Sequence, residues 1–127
     1  MLFLKKTILP IFAATIWISL SEFVRNQFIL LSFWTDHYSN LGLNFPSEPI
    51  NGAMWGVWSL CFAIVIFILA TKFSLTETFL ISWGIGFVLM WLVIGNLGVL
   101  PLGILPVAIP LSLFEAFFAA FIIKKLS

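Results

Sequence analysis

Four long apolar runs constrain this chain more than any other feature of its sequence. They cover approximately residues 7–33, 50–71, 77–96 and 106–123. A helix crosses a hydrocarbon core of about 30 Å with roughly 20 apolar residues. The chain is 62% hydrophobic and 9% charged, whereas about a quarter of the residues in a soluble domain are charged. The sequence therefore predicts a single all-α integral membrane domain, with four transmembrane helices in a compact bundle.

The connections between the runs predict where the helices stop. Residues 34–49 are polar enough to form an outer loop, and residues 72–76 form a short inner loop. Residues 97–105 belong to a stretch, 95–110, with three prolines and three glycines. Because proline removes a helical hydrogen bond and clashes with the preceding turn, this stretch predicts a broken outer segment. Residues 1–14 resemble a signal peptide, but the apolar run continues to Trp34 and no clear small-residue cleavage site follows, so we interpret them as part of an uncleaved first helix.

The distribution of charge predicts how the helices are oriented. With four spans, the lysines all fall on one side of the membrane: Lys5, Lys6, Lys72, Lys124 and Lys125. The acidic residues and the histidine of the outer loop fall on the other side. Cytoplasmic loops of membrane proteins carry an excess of Lys and Arg. We therefore expect a multi-pass protein of a bacterial inner membrane, with both termini in the cytoplasm.

The first helix carries the strongest chemical signal, because Glu22 and Arg25 lie inside its apolar run. Thr15, Ser19, Glu22 and Asn26 recur at spacings that place them on one helix face. Charged side chains within a span are costly and usually face a bundle interior or a water-filled cavity. One interpretation is a proton-coupling carboxylate beside an anion-binding arginine. The alternative is a structural ion pair that holds the first helix against its neighbours.

Glu115 is the second acidic residue expected within the membrane. It precedes Lys124 by nine residues, a distance of about 13 Å along a helix that places it near the midplane. No basic residue is close to it in sequence, and an unpaired acid there would be largely neutral, as a proton carrier requires. The alternative is a carboxyl group that is hydrogen-bonded to another helix, with Ser112 or Asn96 as its partner.

Small residues predict which helix faces pack against protein. Gly52 and Gly56 form a GxxxG pattern in the second helix, and such spacing lets another helix approach closely. The fourth helix carries a second set of small residues: Ser112, Ala116 and Ala120. We expect both faces to point into the bundle together with Glu22, Arg25, Asn96 and Glu115. The uniformly apolar half of the second helix, residues 61–70, is expected to face lipid.

The outer loop offers a further set of candidates, Asp36, His37 and Glu48. These residue types can bind a divalent metal or take part in acid–base chemistry. Their spacing matches no metal-ligand motif, and the alternative is that they are solvated loop residues. Cys61 is the only cysteine and His37 the only histidine, which argues against a disulfide, a thiolate metal cage or a multi-histidine site. We expect no metal and no cofactor, and no basic cluster indicates a nucleic-acid partner.

The tryptophans at positions 55, 58, 83 and 91 allow two interpretations. They could line an aromatic pocket for a lipid, a quinone or a cation. In a chain with 15 Phe and 6 Trp, the alternative is that they pack the bundle and anchor it at the membrane interface.

Three functions from different classes follow from these patterns. Four short spans with a membrane acid, Glu22, resemble the general plan of small multidrug-resistance exporters, although the residues around Glu22 do not match that family and no family is assigned. The first hypothesis is a small transporter or permeation protein that uses intramembrane carboxylates. The second is a non-catalytic membrane scaffold or accessory subunit, and the third is an enzyme at the outer face. A four-helix unit is small for enclosing a pathway, so we expect a homodimer or a membrane partner protein in the lipid bilayer.

Overall fold

The computed structural model describes all residues 1–127 and contains helices and turns but no strands. Four helices are long and apolar enough to cross a membrane: α1 (Leu4–Ile29), α3 (Pro49–Ala70), α4 (Leu75–Asn96) and α5 (Leu102–Leu126). A shorter helix, α2 (Leu31–Asn40), lies between the first two of them. The four long helices are compatible with a membrane helical bundle.

The two ends of the bundle differ in chemistry. The lysine end carries the N-terminus, the α3–α4 turn and the C-terminus, with all five lysines of the chain. The loop end carries α2, residues 41–48 and the α4–α5 turn. At the lysine end, Lys124 Nζ donates to the backbone oxygens of Ala70 at 2.8 Å and Phe73 at 2.6 Å. These bonds satisfy carbonyl oxygens at and just beyond the C-terminal end of α3, where a cation is favourable.

Local capping determines where α3 and α4 begin. Glu48 and Asn51 form a capping box at α3, in which the Glu48 backbone N–H donates to Asn51 Oδ1 at 2.9 Å. Ser74 and Glu77 do the same at α4, where the Glu77 backbone N–H donates to Ser74 Oγ at 3.2 Å. Each box satisfies backbone donors that have no partner within the helix.

Residues 34–49, expected to be an outer loop, contain most of α2. Helix α1 ends at Ile29 rather than at residue 33, because Leu30 leaves helical geometry with φ −109° and ψ 5°. The chain resumes as a helix at Leu31. On the other side of the loop end, the turn after α4 contains Gly98 at φ +79°, a left-handed conformation that favours glycine.

The fourth span begins earlier than its prolines indicate. A 3₁₀ turn at Leu102–Ile104 leads into the α-helical part of α5, which starts at Leu105 instead of residue 106–110. Pro106 lies in the first turn, where its missing N–H costs no helical hydrogen bond. Pro110 is tolerated inside the helix.

The best-packed region lies toward the lysine end. Its buried residues come from all four long helices: Ala14, Ile18, Phe62, Ala63, Ile66, Ala70, Phe87, Ala119, Ala120 and Ile123. Helix α1 packs against both α3 and α5, and α4 packs against α5. Ser112, Ala116 and Ala120 are all fully buried in this interior. The many alanines let the helix backbones approach closely.

The expectation that residues 61–70 face lipid is wrong for one side of α3. Phe62, Ala63 and Ile66 are buried against the other helices, while Cys61 and Ile64 remain exposed. Both faces of this half are apolar, because lipid tails and a membrane-protein interior favour similar side chains. Hydrophobicity alone therefore does not distinguish them.

The GxxxG face of α3 makes no close helix contact within the chain. A Cβ added at Gly52 or at Gly56 would have no other atom within 4 Å. Both glycines instead line an open groove between α1 and α3. Helix α3 is therefore tightly packed toward the lysine end and separated from α1 toward the loop end.

Candidate functional site: a buried charged network and a loop-end cavity

Arg25 joins two carboxylates from opposite ends of the chain. Its Nη2 lies 2.7 Å from Glu22 Oε1, one helical turn away on α1. Its Nη1 donates to Glu115 Oε1 on α5 at 3.1 Å. Glu22 and Arg25 are each 5% exposed and Glu115 is fully buried. We call these three residues the charged network.

The partner of Glu115 differs from the sequence-based expectation. Ser112 Oγ instead accepts from Trp83 Nε1 at 2.8 Å and donates to the Ile109 backbone oxygen. Asn96, predicted to point inward, is exposed at the end of α4. The Arg25–Glu115 contact spans 90 residues of sequence. No local spacing could have revealed it, since helix periodicity relates only residues a few positions apart.

Two polar side chains extend the charged network toward the loop end. Asn26 Nδ2 donates to Glu22 Oε2 at 3.0 Å, and Trp34 Nε1 of α2 donates to Asn26 Oδ1 at 3.1 Å. A continuous line of contacts therefore runs from Trp34 through Asn26, Glu22 and Arg25 to Glu115. Buried polar groups need such partners, because an unpaired one in an apolar interior is costly.

Two π-helical turns lie beside the network. One, Arg25–Ile29, begins at the central arginine, and the other, Gly84–Val88, carries Phe87 in α4. The Phe87 ring centroid lies 5.2 Å from Arg25 Cζ, a cation–π distance. Single π-helical turns inside α-helices occur frequently at functional sites. Here they accompany the point where three helices meet around one guanidinium.

The charge of the network is not balanced. One guanidinium faces two carboxylates, so the formal charge is −1 when all three groups are ionised. Glu115 Oε2 is buried and has no hydrogen-bond partner. A proton or a cation would offset the excess charge, and either would satisfy a group that is expensive to leave ionised within a membrane.

A cavity of about 410 Å³ reaches the network from the loop end. Glu22, Arg25 and Asn26 contribute to its lining. Most of the remaining wall is apolar and largely aromatic, with rings from α2, α3 and α4: Trp34, Tyr38, Trp55, Trp58, Phe87 and Trp91. Ligand cavities of this size with a few convergent polar groups are typical of binding sites. Glu115 lies behind Arg25 and does not line the cavity.

A second, more polar cavity adjoins the first. It measures about 370 Å³ and lies in the groove between α1 and α3, with Ser19, Gly52, Gly56 and Ser59 in its wall. Glu22 lines both cavities. The buried residues of the lysine end lie below them. Both cavities therefore lie toward the loop end, and no residue of the lysine end lines either of them.

The outer-loop candidates are separate from the network. His37 Nε2 lies 2.8 Å from the Gly98 backbone oxygen and joins α2 to the α4–α5 turn. Glu48 is the N-cap residue of α3, and Asp36 is exposed. No three His, Cys, Asp or Glu side chains are grouped so that they could hold a metal ion.

Sequence reasoning identified part of the cavity and missed part of it. Trp55, Trp58 and Trp91 line the cavity, whereas Trp83 bonds to Ser112 away from it. Trp34 and Phe87 also line the cavity, but the sequence did not predict this. Trp34 follows Asn26 by eight residues across a helix break, so no periodic pattern connects them.

Comparisons with known proteins assign no family to this arrangement. No protein-family model matches the sequence, and neither a curated protein nor a solved structure matches the chain.

Proposed function

We propose that this protein is a small membrane transporter or permeation protein that uses the intramembrane carboxylates Glu22 and Glu115. The observation that carries the proposal is the buried charged network at the floor of the loop-end cavity. Charged side chains at such positions are expensive, and in membrane proteins they often mark ion pathways and proton relays.

The mechanism that we propose is a change of partner at Arg25. With both carboxylates ionised, the guanidinium holds α1 and α5 together through Glu22 and Glu115. When a proton or a cation neutralises Glu22, its attraction to Arg25 weakens and Arg25 pairs with Glu115 alone. A ligand that binds two conformations unequally shifts their populations. Binding of a proton or a cation to Glu22 from the loop end therefore shifts the population toward the conformation in which α1 is held by Arg25 and Glu115 alone.

A membrane scaffold is the second candidate function. The tightly packed lysine end favours it, because neither of the two cavities described above reaches that end of the bundle. In this alternative the network only specifies helix packing, and the protein acts as an accessory subunit of another membrane protein or as a homodimer. The open Gly52 and Gly56 face of α3 would then receive the partner helix.

Proton-linked flux distinguishes these two functions. In proteoliposomes that contain a pH-sensitive dye, we expect the wild-type protein to dissipate an imposed pH gradient faster than empty liposomes do. Glu22→Gln should reduce the rate to that of empty liposomes, because the amide cannot carry a proton. Glu115→Gln should do the same, because it removes the carboxylate with which Arg25 pairs when Glu22 is neutralised.

Glu77→Gln is the matched control for this experiment. Glu77 is exposed at the lysine end, and glutamine can replace glutamate in a capping box. We expect this variant to retain wild-type flux. Flux that persists in both Glu22→Gln and Glu115→Gln would contradict the transporter proposal and favour the scaffold. A wild-type rate equal to the leak of empty liposomes would do the same.

The proposal includes an orientation, with the lysine end in the cytoplasm of a bacterial cell and the loop end outside the inner membrane. Its support is the separation of all five lysines from the loop end. A reporter that works only in the cytoplasm should be active when it is fused after Ser127. A reporter that works only outside the cytoplasm should be active when it is inserted after Leu43. A C-terminal fusion that is active outside the cytoplasm would reverse the orientation.

A further inference from the structure

The loop-end cavity combines a floor that carries one carboxylate and one guanidinium with aromatic walls. Glu22 and Arg25 are the only charged residues that line it, and Glu115 lies directly behind Arg25. The adjoining groove adds Glu48 and no cation. Arg25 is therefore the single positive group at this end and is already shared between two carboxylates. An anion would have to compete with both of them, whereas a cation meets an excess negative charge when Glu22 and Glu115 are both ionised.

The aromatic walls select for the same kind of ligand. Trp55 and Trp58 form an edge-to-face pair with ring centroids 5.9 Å apart, and Phe87 lies a further 5.9 Å from Trp58. Aromatic faces attract organic cations, and recognition of quaternary ammonium groups by aromatic cages depends on this effect. The Arg25 guanidinium over Phe87 is an example within the cavity itself.

The size of the cavity restricts the ligand further. A volume of about 410 Å³ accommodates a small organic molecule with an apolar body. Trp34 and Phe45, which also line the cavity, stack with ring centroids 5.7 Å apart and add to its aromatic wall. A strongly hydrated metal ion would find few oxygen ligands here, because hard cations require several of them.

We propose that the loop-end cavity binds a soluble, monovalent organic cation with an apolar body, with its charge near Glu22 and its body against Trp55 and Trp58. This inference rests on the proposed function in that it names the ligand class of the same site. Binding of the cation would also be the event that neutralises Glu22 and releases it from Arg25.

The test uses the full chain in nanodiscs of phosphatidylglycerol and two probes of similar shape and opposite charge. Benzyltrimethylammonium is the cation, and benzylsulfonate is the anion. By equilibrium dialysis against empty nanodiscs, we expect saturable binding of the cation and binding of the anion that is weaker by about tenfold or more. Equal binding of the two probes, tighter binding of the anion, or no binding of the cation would overturn the proposal.

Two variants locate the bound cation. Glu22→Gln removes the negative charge and should weaken cation binding by about tenfold. Trp55→Leu should weaken it by about threefold to tenfold through loss of a cation–π partner. Phe12→Leu changes an exposed aromatic residue outside the cavity and should leave the affinity unchanged. Since Trp55 is itself 41% exposed, its replacement leaves a readout even if Glu22→Gln fails to fold.

The outcomes separate this inference from the proposed function. Saturable cation binding in a protein without proton-linked flux supports the site and overturns transport. Carboxylate-dependent flux without cation binding overturns the site and leaves transport standing. Wild-type affinity in both Glu22→Gln and Trp55→Leu would place the cation elsewhere and overturn the proposal. The same measurement is repeated in nanodiscs that also contain phosphatidylcholine, whose headgroup is a quaternary ammonium. If this lipid competes with the probe, the ligand is a lipid headgroup and the proposed soluble source is wrong.

Discussion

Arg25→Ala is expected to cause the largest loss of stability of any single change in the charged network, about 3–5 kcal/mol on the scale of broken buried ion pairs in soluble proteins. The structure makes the reason specific, because Arg25 is the only cation near both Glu22 and Glu115. Its removal leaves two buried carboxylates without a counter-ion. The melting temperature in detergent and the yield of monodisperse protein measure this loss.

The number of buried charges left without a partner should determine how far the free energy of unfolding recovers. The double variant Glu22→Gln with Arg25→Gln still leaves Glu115 buried and unpaired, so we expect it to be intermediate. The triple variant that also carries Glu115→Gln leaves no uncompensated charge and should be the most stable of the three. Lys125→Ala, which removes an exposed cation, is the control and should melt like wild type. If Arg25→Ala also melts like wild type, the network does not stabilise the bundle.

Gly86→Ala is expected to destabilise the protein by about 1–3 kcal/mol, the range for overpacking a well-packed core. A Cβ at this position would lie 2.5 Å from Phe62 Cε1 and 2.7 Å from Phe62 Cζ. Phe62 has little freedom to move, because it stacks on Trp58 with ring centroids 5.0 Å apart and meets Phe87 edge-on at 5.7 Å. Thermal unfolding in detergent measures the effect.

Gly84→Ala is the matched control, two residues earlier in α4. A Cβ there meets no atom within 4 Å, and Gly84 already has helical backbone angles. Because alanine favours a helix over glycine by about 1 kcal/mol, this variant should be as stable as wild type or more stable. Phe62→Leu should recover part of the loss in Gly86→Ala, since it removes the clashing ring atoms. Equal stability of the two alanine variants would contradict the close contact.

Much of the site could not be predicted because its parts are distant in sequence. Glu22 and Arg25 lie at i, i+3 on one helix, so their proximity follows from helix geometry. Glu115 joins them only when α5 packs against α1, and sequence analysis assigned it other partners. The acidic excess of the network, on which both proposals depend, is a property of all three residues together.

The direction of each apolar face was also decided by tertiary packing. Phe62 and Ile66 are buried while the neighbouring Ile64 is exposed, although nothing in their hydrophobicity distinguishes them. Conversely, the small Gly52 and Gly56 face lies open. In water, burial separates apolar from polar residues, but within a membrane both environments are apolar and this signal is lost.

The sequence by itself determined that the chain forms four long apolar helices, because the length and composition of each contiguous apolar segment decide this. It also determined that Glu22 and Arg25 share a helix and that the lysines lie at one end. Only the tertiary structure decided that Arg25 bridges Glu22 and Glu115 and that aromatic side chains from three helices enclose a cavity above them. These features depend on helix–helix contacts, which relate residues far apart in the chain and have no local pattern.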